Sequence, residues 1–426
     1  MRITKELNQR LTRVGPGTPM GDLFRRYWIP ACLSEEVSEP DGAPARVRLL
    51  GEDLVAFRDS TGTVGLVDAY CPHRRAPMFF GRNEEAGLRC VYHGWKFDTV
   101  GACVDMPTEA EDSKFRFRVS IKSYPTYEAG GIVWTYMGPQ ELTPPVPDQE
   151  WMRAPQTHRR VSKTGESCNF LQAIEGGIDT AHSSFAHNND LENPRLLRNL
   201  DRHPRLDVEF TDYGFRYASL RNVGNDTTYL RIYQYFMPSQ QCRGFFVGLD
   251  GKQPELPGIF GHIWVPIDDE HTFVYNTLYS MDERFPITDE WWEEHEAEMG
   301  RGKEENIPGT YWLARNQSND YLIDREVQRT KTFTGIEGVN TQDFAIQEGM
   351  GPVVDRSQEA LGSTDRAIQA CRRLLVRTMD EIERGGTELA GHDSEAVAEV
   401  RGADALVPTG TDWRDEAKTM TLAHWR

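Results

Sequence analysis

No stretch of this 426-residue chain approaches eighteen consecutive apolar residues, which excludes a membrane-spanning helix. The opening Met-Arg-Ile-Thr-Lys-Glu-Leu alternates charge and lacks the apolar core of a signal peptide, so the protein is expected in the cytoplasm. Positive charge is in short supply. Against 66 Asp and Glu stand 48 Lys and Arg, a formal balance of −18, so a partner held by phosphate contacts, nucleic acid or anionic membrane, is not expected. Cysteine is sparse: seven residues, at 32, 71, 90, 103, 168, 242 and 371, an odd and scattered set that makes no disulfide framework. There is no internal repeat and no low-complexity run. No strand leads into G-x-G-x-x-G and a helix, so the chain carries no nucleotide-binding fingerprint.

What is present is ample core material, 38% hydrophobic with 19 Phe, 15 Tyr and 10 Trp, enough for two or three domains. Residues 1–24 read as a helical segment broken at Gly15-Pro16-Gly17. Short strands at 46–50, 54–57, 64–67 and 131–136 predict a small all-β domain over 25–140, closed by the proline-rich Thr143-Pro144-Pro145-Val146-Pro147. Over 141–426 the pattern predicts a helix-like stretch around 166–187 and a larger antiparallel sheet with strands at 214–220, 228–237 and 261–266. A C-terminal helix follows on which Ile368, Cys371, Leu375, Met379 and Ile382 share a face, Cys371 being core. The fold class is α+β.

Two loops carry chemistry. Cys71-Pro72-His73 is answered by Cys90-Val91-Tyr92-His93, an arrangement for which chance is a poor explanation. Structural zinc uses the same ligand types, but normally as a C-x-x-C pair and a separate histidine pair. Here each loop offers one thiolate and one imidazole, so both cysteines can meet one metal and both histidines the other, as in a 2Fe-2S cluster of Rieske type. The flanking Arg74-Arg75 and Gly94-Trp95-Lys96-Phe97-Asp98 resemble the two cluster-binding loops of Rieske proteins.

A bare electron carrier needs nothing like the long remainder of the chain. Within it, Glu175-Gly176-Gly177-Ile178-Asp179-Thr180-Ala181-His182 leads to His187. Five residues apart, the histidines stand about 140° apart on a regular helix and face one metal only if the helix is broken near Ser183-Ser184. Two histidines and a carboxylate on one face of an iron leave positions for dioxygen beside a substrate. The spacing is too common to stand alone, and the carboxylate must come from elsewhere.

Together with Arg13-Val14-Gly15-Pro16-Gly17-Thr18-Pro19-Met20, the run 171–182 and the run Thr341 to Pro352, these features resemble the oxygenase (α) subunit of the Rieske non-haem iron aromatic-ring oxygenases, in their phthalate and chlorobenzoate dioxygenase branch. The resemblance implies a Rieske domain joined to a helix-grip catalytic domain. It implies a 2Fe-2S cluster on Cys71, His73, Cys90 and His93, and a mononuclear Fe(II) on His182, His187 and Asp343, with Glu348 and Asp355 as rival carboxylates. Asp179, three residues before His182, would share a helical face with it and accept its imidazole N–H. By the same resemblance its other oxygen meets His93 of the partner subunit in a ring of three, so a homotrimer or a pair of stacked trimers is expected.

Electrons would come from a separate NAD(P)H-dependent reductase. The reaction with dioxygen would be cis-dihydroxylation of an aromatic substrate, or monooxygenation including O-demethylation. The branch favours aromatic carboxylates, which an arginine fork would anchor. Arg216 shares a strand face with Ala218 and Leu220 and is the chosen candidate, unless it pairs with a structural carboxylate; Arg221 and Arg231 are equally available. The rival function classes are a Rieske electron carrier without chemistry of its own and a zinc-stabilised binding module.

Overall fold

The computed structural model describes residues 3–425. The chain divides into two compact units, Val14–Val146, and the remainder, in which the segment up to Arg13 joins the chain from Pro147 onward.

The first unit is built from short antiparallel strands. Ala45–Leu49, Glu52–Arg58, Val64–Asp68 and Ser123–Tyr124 make one sheet, and Trp28–Leu33, Ile132–Tyr136 and Thr126–Ala129 a second. A third, of two- and three-residue strands, runs Arg82–Asn83, Leu88–Arg89, Lys96–Phe97 and Cys103–Asp105. Alternation drives the pairing: in Ala45–Leu49, Val47 and Leu49 turn inward and Arg46 and Arg48 outward. Val55, Phe57, Val67, Met78, Leu88 and Phe97 form the core, and Cys71, Cys90 and Trp95 belong to the same cluster.

The second unit is an eight-stranded antiparallel sheet. Its strands are β1 (Arg159–Glu166), β2 (Arg205–Thr211), β3 (Gly214–Gly224), β4 (Thr227–Phe236), β5 (Gln240–Phe245), β6 (Gly258–Pro266), β7 (Thr272–Ser280) and β8 (Ala403–Pro408), in spatial order β1-β7-β6-β5-β4-β3-β2, with β8 paired to β4. The helices that matter are α1 (Lys5–Thr12), α2 (Phe170–Ile178), α3 (Val339–Gly349), α4 (Arg366–Glu383) and α5 (Trp413–Met420).

Register sorts the sheet into two faces, because residues directly opposite each other share one. Tyr217, Tyr233, Arg243, Phe260 and Leu278 stand in one row, and Tyr235, Gln241, His262 and Asn276 in the next. The opposite face carries Ala218, Leu230, Ile232 and Val407 against Trp413 of α5.

Helix α2 lies on the first face. Asn169 caps its start, its side chain accepting from Leu171 N at 3.1 Å. The Tyr217 hydroxyl donates to Ile178 O at 3.0 Å, and Gln241 Nε2 donates to Gly177 O at 3.2 Å. The approach leaves no room for side chains: a Cβ on Gly177 would stand 2.1 Å from Trp264 Cζ2, and one on Gly176 2.1 Å from Gln347 Nε2 of α3. Glu175 is gripped by Arg372 Nε at 2.6 Å and Arg356 Nε at 3.0 Å. Burial would raise the Glu175 carboxyl, but the two guanidiniums hold it below its ordinary value.

The expected helix-like stretch over 166–187 is corrected in detail. Glu166 still belongs to β1, α2 stops at Ile178, and Asp179 is extended (φ −69°, ψ 133°) before a short 3-10 turn over His182–Ser184. The first 24 residues do not form a segment of their own either. Asn8 of α1 donates to Val354 O at 2.8 Å and Arg10 pairs with Asp380 of α4 at 2.6 Å, which ties α1 to the second unit, whereas Pro19–Phe24 belongs to the first. The first unit also runs past the expected boundary at 140 to Val146, with Trp28 Nε1 donating to Pro144 O at 3.0 Å. Among the described residues no helix is long and apolar enough to cross a membrane.

Replacing Gly177 with Ala is expected to destabilise the protein by about 1–3 kcal/mol, because the new methyl group must displace Trp264 or α2. Calorimetric melting checks this, and an unchanged melting temperature would contradict the close approach.

Candidate metal centres and substrate face

The two cluster loops close in the same way. Cys71 N donates to Ala76 O at 2.9 Å and Arg75 N to Cys71 O at 2.8 Å; Cys90 N donates to Trp95 O at 2.8 Å and Gly94 N to Cys90 O at 3.0 Å. Each loop needs a left-handed residue four positions after its cysteine: Arg75 has φ 59° and Gly94 φ 75°. Gly94 is doubly constrained, since a Cβ there would stand 2.7 Å from Pro107 Cγ.

The result buries both sulfurs and leaves the imidazoles nearer the surface. The His73 and His93 rings lie 4.4 Å apart, and His73 stacks on Trp95 at 4.3 Å and 12°. His73 Nδ1 is buried with no hydrogen-bond partner, the state of a nitrogen whose lone pair is meant for a metal. Among the described residues, His182, His187 and Asp343 are the one set of three or more such groups whose ligand atoms all lie within 4.8 Å of one another. Two buried sulfurs with two paired imidazoles nearer the surface suit a two-iron cluster, the thiolates on one iron and the imidazoles on the other.

His182 Nε2 and His187 Nε2 are 3.0 Å apart, and Asp343 Oδ1 lies 3.5 Å and 3.2 Å from them. Donor atoms at adjacent corners of an octahedron with bonds of about 2.1 Å are about 3.0 Å apart, so the triangle fits one ion. The tautomers agree. Gln342 Nε2 donates to Asn189 Oδ1 and Ile336 O, which turns Gln342 Oε1 toward His187 Nδ1 at 2.9 Å. His187 thus carries its proton on Nδ1 and presents a lone pair at Nε2. His182 Nδ1 faces Asp179 Oδ2 at 3.4 Å, a contact that falls short of an aligned hydrogen bond. Two imidazole lone pairs and a carboxylate oxygen converging this closely repel one another unless a cation stands between them.

The helical argument for Asp179 is corrected: it reaches His182 from extended backbone beyond the end of α2, and its Oδ1 accepts Ala181 N at 2.8 Å. Glu348 accepts from Ser167 N at 2.8 Å and from the Tyr321 hydroxyl, and Asp355 caps its own turn through Ser357 N at 3.0 Å. Both rivals of Asp343 are thereby engaged elsewhere.

Of the arginines, Arg216 pairs with Glu209 at 2.9 Å and lies over Trp413, on the sheet face away from α2, so as a substrate anchor it is corrected. Its alternation with Ala218 was legible, but which face meets the site was not. Arg221 is a positioning residue: it donates to Thr180 O at 2.6 Å and Ser184 Oγ at 3.1 Å, on both sides of His182. Arg231 is balanced by Asp404 at 3.5 Å.

Arg243 escaped the sequence reading. It shares the face of Tyr217 and Tyr233, within electrostatic reach of Asp343 and His182, and its guanidinium has no carboxylate partner among the described residues. Burial pushes its pKa down, and Arg231 adds to the effect. Arg198 is in the same position, pushed down to about 10 by burial with Arg221 and Arg231 nearby. The signal for Arg243 was its alternation with Gln241, which puts both on one face of the strand.

Residues 27–125 match the Rieske [2Fe-2S] domain, and residues 135–424 match the family described as LigXa C-terminal domain like. The chain belongs to the Rieske non-haem iron oxygenases: it is an oxygenase subunit, carrying a 2Fe-2S cluster and a mononuclear iron centre. Within that class it is 39% identical to the phthalate 4,5-dioxygenase oxygenase subunit of Pseudomonas putida, over 97% of this chain and 94% of that one. It is 36% identical to the 3-chlorobenzoate-3,4-dioxygenase oxygenase subunit of Comamonas testosteroni, over 97% of each. The crystal structure of dicamba monooxygenase bound to dicamba shares the fold, with a TM-score of 0.61 and 19% identity over 85% of this chain and 98% of that one. The enzyme is an oxidoreductase that incorporates dioxygen.

Cys90→Ala should lose about two irons per chain together with the visible absorption of the cluster, and Asp343→Ala about one iron with that absorption intact. Metal analysis and electron paramagnetic resonance check both; a full complement of iron in either variant would contradict the ligand sets.

Proposed function

We propose that this subunit cis-dihydroxylates an aromatic carboxylate, with electrons supplied by a separate NAD(P)H-dependent reductase. The observation that carries the reading is Arg243, a half-buried guanidinium on the face that meets the metal-binding trio, with no carboxylate paired to it among the described residues. A buried cation without a counterion is costly unless a ligand supplies the charge, and an arginine fork matches a carboxylate. Arg198 adds a second such group. The relatives named for phthalate and 3-chlorobenzoate act on the same chemical class.

When bound, the cluster supplies electrons and the ferrous ion an open face for dioxygen. Cys71, His73, Cys90 and His93 hold the former, and His182, His187 and Asp343 the latter. The protein does the positioning. Arg243 orients the acid group so that the ring lies against Phe260 and near the trio, and Arg221 and Gln342 keep the two imidazoles in place. Asp179 steadies His182 and, in a trimer, takes His93 of the partner subunit on its carboxylate, joining one chain's cluster to the next chain's iron. The half-buried Asp179 carboxylate and the surface position of His93 support that route.

Arg243→Met should weaken benzoate binding by at least about tenfold, the worth of one charge-assisted hydrogen bond, while both metal centres remain. Titration calorimetry checks it. A screen of aromatic acids with a surrogate reductase, scored by product mass, tests the reaction: gain of two oxygens and two hydrogens means dihydroxylation, and loss of a methylene means demethylation.

Asp179→Asn should keep both metals and a reducible cluster yet lose nearly all turnover. Stopped-flow reoxidation of the cluster at the wild-type rate, or an active monomer, would refute the inter-subunit route.

A further inference from the structure

Beside Arg243 on the same sheet face stand two hydrogen-bond acceptors with nothing to accept. Gln241 and His262 are directly opposite on β5 and β6, and Arg243 is the diagonal neighbour of His262. Gln241 is 1% exposed. Its Nε2 donates to Gly177 O at 3.2 Å and to the Tyr217 hydroxyl at 2.7 Å; that hydroxyl in turn donates to Ile178 O, so the amide cannot be flipped. Gln241 Oε1 is left buried without a partner.

His262 is oriented through Asn276. Asn276 Nδ2 donates to Ser162 Oγ at 3.3 Å, which leaves Asn276 Oδ1 to face His262 Nδ1 at 3.0 Å. With Asn276 so placed, the imidazole carries its proton on Nδ1 and a lone pair on Nε2. Burial, then Arg243 and Arg301, push the His262 pKa down to about 3, so the ring stays neutral. No described residue donates to Nε2. A buried acceptor without a donor costs about 1–3 kcal/mol, which is the position of Gln241 Oε1; His262 Nε2, on a half-buried residue, is open to a donor from the face that carries the carboxylate anchor.

We infer that His262 Nε2 and Gln241 Oε1 form a substrate subsite for a hydrogen-bond donor, so that the preferred substrate is an aromatic acid bearing a ring hydroxyl, its carboxylate on Arg243 and its O–H on the acceptor pair. This rests on the aromatic-carboxylate reading above and narrows it. His262 is a specificity residue in this scheme. It takes no proton from the substrate, and the hydroxyl only donates to it.

The test is a binding comparison on the protein with both metal centres loaded. Benzoate and 2-, 3- and 4-hydroxybenzoate, each hydroxy acid paired with its methoxy ether, are titrated calorimetrically against wild type, His262→Phe and His262→Gln. At least one hydroxy acid should bind wild type about tenfold or more tighter than its ether, since the ether brings bulk but no donor. In His262→Phe that ratio should fall to near one while benzoate affinity is kept, and His262→Gln, which restores an acceptor, should recover part of it. A merely structural role would weaken all the acids alike and leave the ratios unmoved. Ratios near one in wild type for all three pairs, or an undiminished ratio in His262→Phe, would overturn the subsite while leaving the carboxylate reading standing, as benzoate binding that depends on Arg243 would show. Failure of every acid to bind would overturn both.

Discussion

The structure depends on how closely α2 lies against the sheet and α3. With Gly177 against Trp264 and Gly176 against Gln347, the helix has no side chain on the two sides where it touches its neighbours. Gln347 and Asp343 are four residues apart on α3 and so share a face; the contact that seats Gln347 on Gly176 also turns Asp343 toward the end of α2. His182 and His187 follow that end within a few residues. A triangle of 3.0–3.5 Å between atoms from α3 and from the segment that follows α2 is thus set by two missing methyl groups, by Glu175 clamped between Arg356 and Arg372, and by Arg221 holding Thr180 and Ser184 on either side of His182.

Charge is distributed against the average of the chain. A protein of formal charge −18 places Arg198, Arg221, Arg231 and Arg243 together around one face of its catalytic sheet. Arg221 is hydrogen-bonded to carbonyl oxygens and Arg231 is paired with Asp404, which leaves the guanidiniums of Arg198 and Arg243 for a ligand. Net charge bears on extended polyanions, which meet the whole surface. A small anion on this sheet face meets only the local field, so the overall negative charge does not exclude it.

The two cluster loops were legible in the sequence because their chemistry is local. Within each loop cysteine and histidine are two or three residues apart, and a single backbone pattern, with a left-handed residue at Arg75 or Gly94, is enough to present both. The strands and the C-terminal amphipathic helix were legible for a similar reason, since period reports burial within one element. Period failed where an element ended on tertiary contacts. The stop of α2 falls at Ile178, where Tyr217 reaches the last carbonyl, and not near Ser183-Ser184, where the histidine spacing places a break; Gly176 and Gly177 lie inside the helix and do not mark its end.

By itself, then, the sequence determined the cluster loops, the histidine pair and the sheet-forming character of the second unit, all properties of short segments. Only the tertiary structure decided which side of the sheet is functional. Alternation says that Arg216 and Ala218 share a face, and equally that Gln241 and Arg243 do, but it is blind to which face a helix covers. That was settled by register across five strands and by α2 and α5 lying on opposite faces, so that Arg216 came to Glu209 and Trp413 while Arg243, Gln241 and His262 came to the metal-binding trio. Long-range packing has no local signature, because the energy that selects it is shared among residues far apart in the chain.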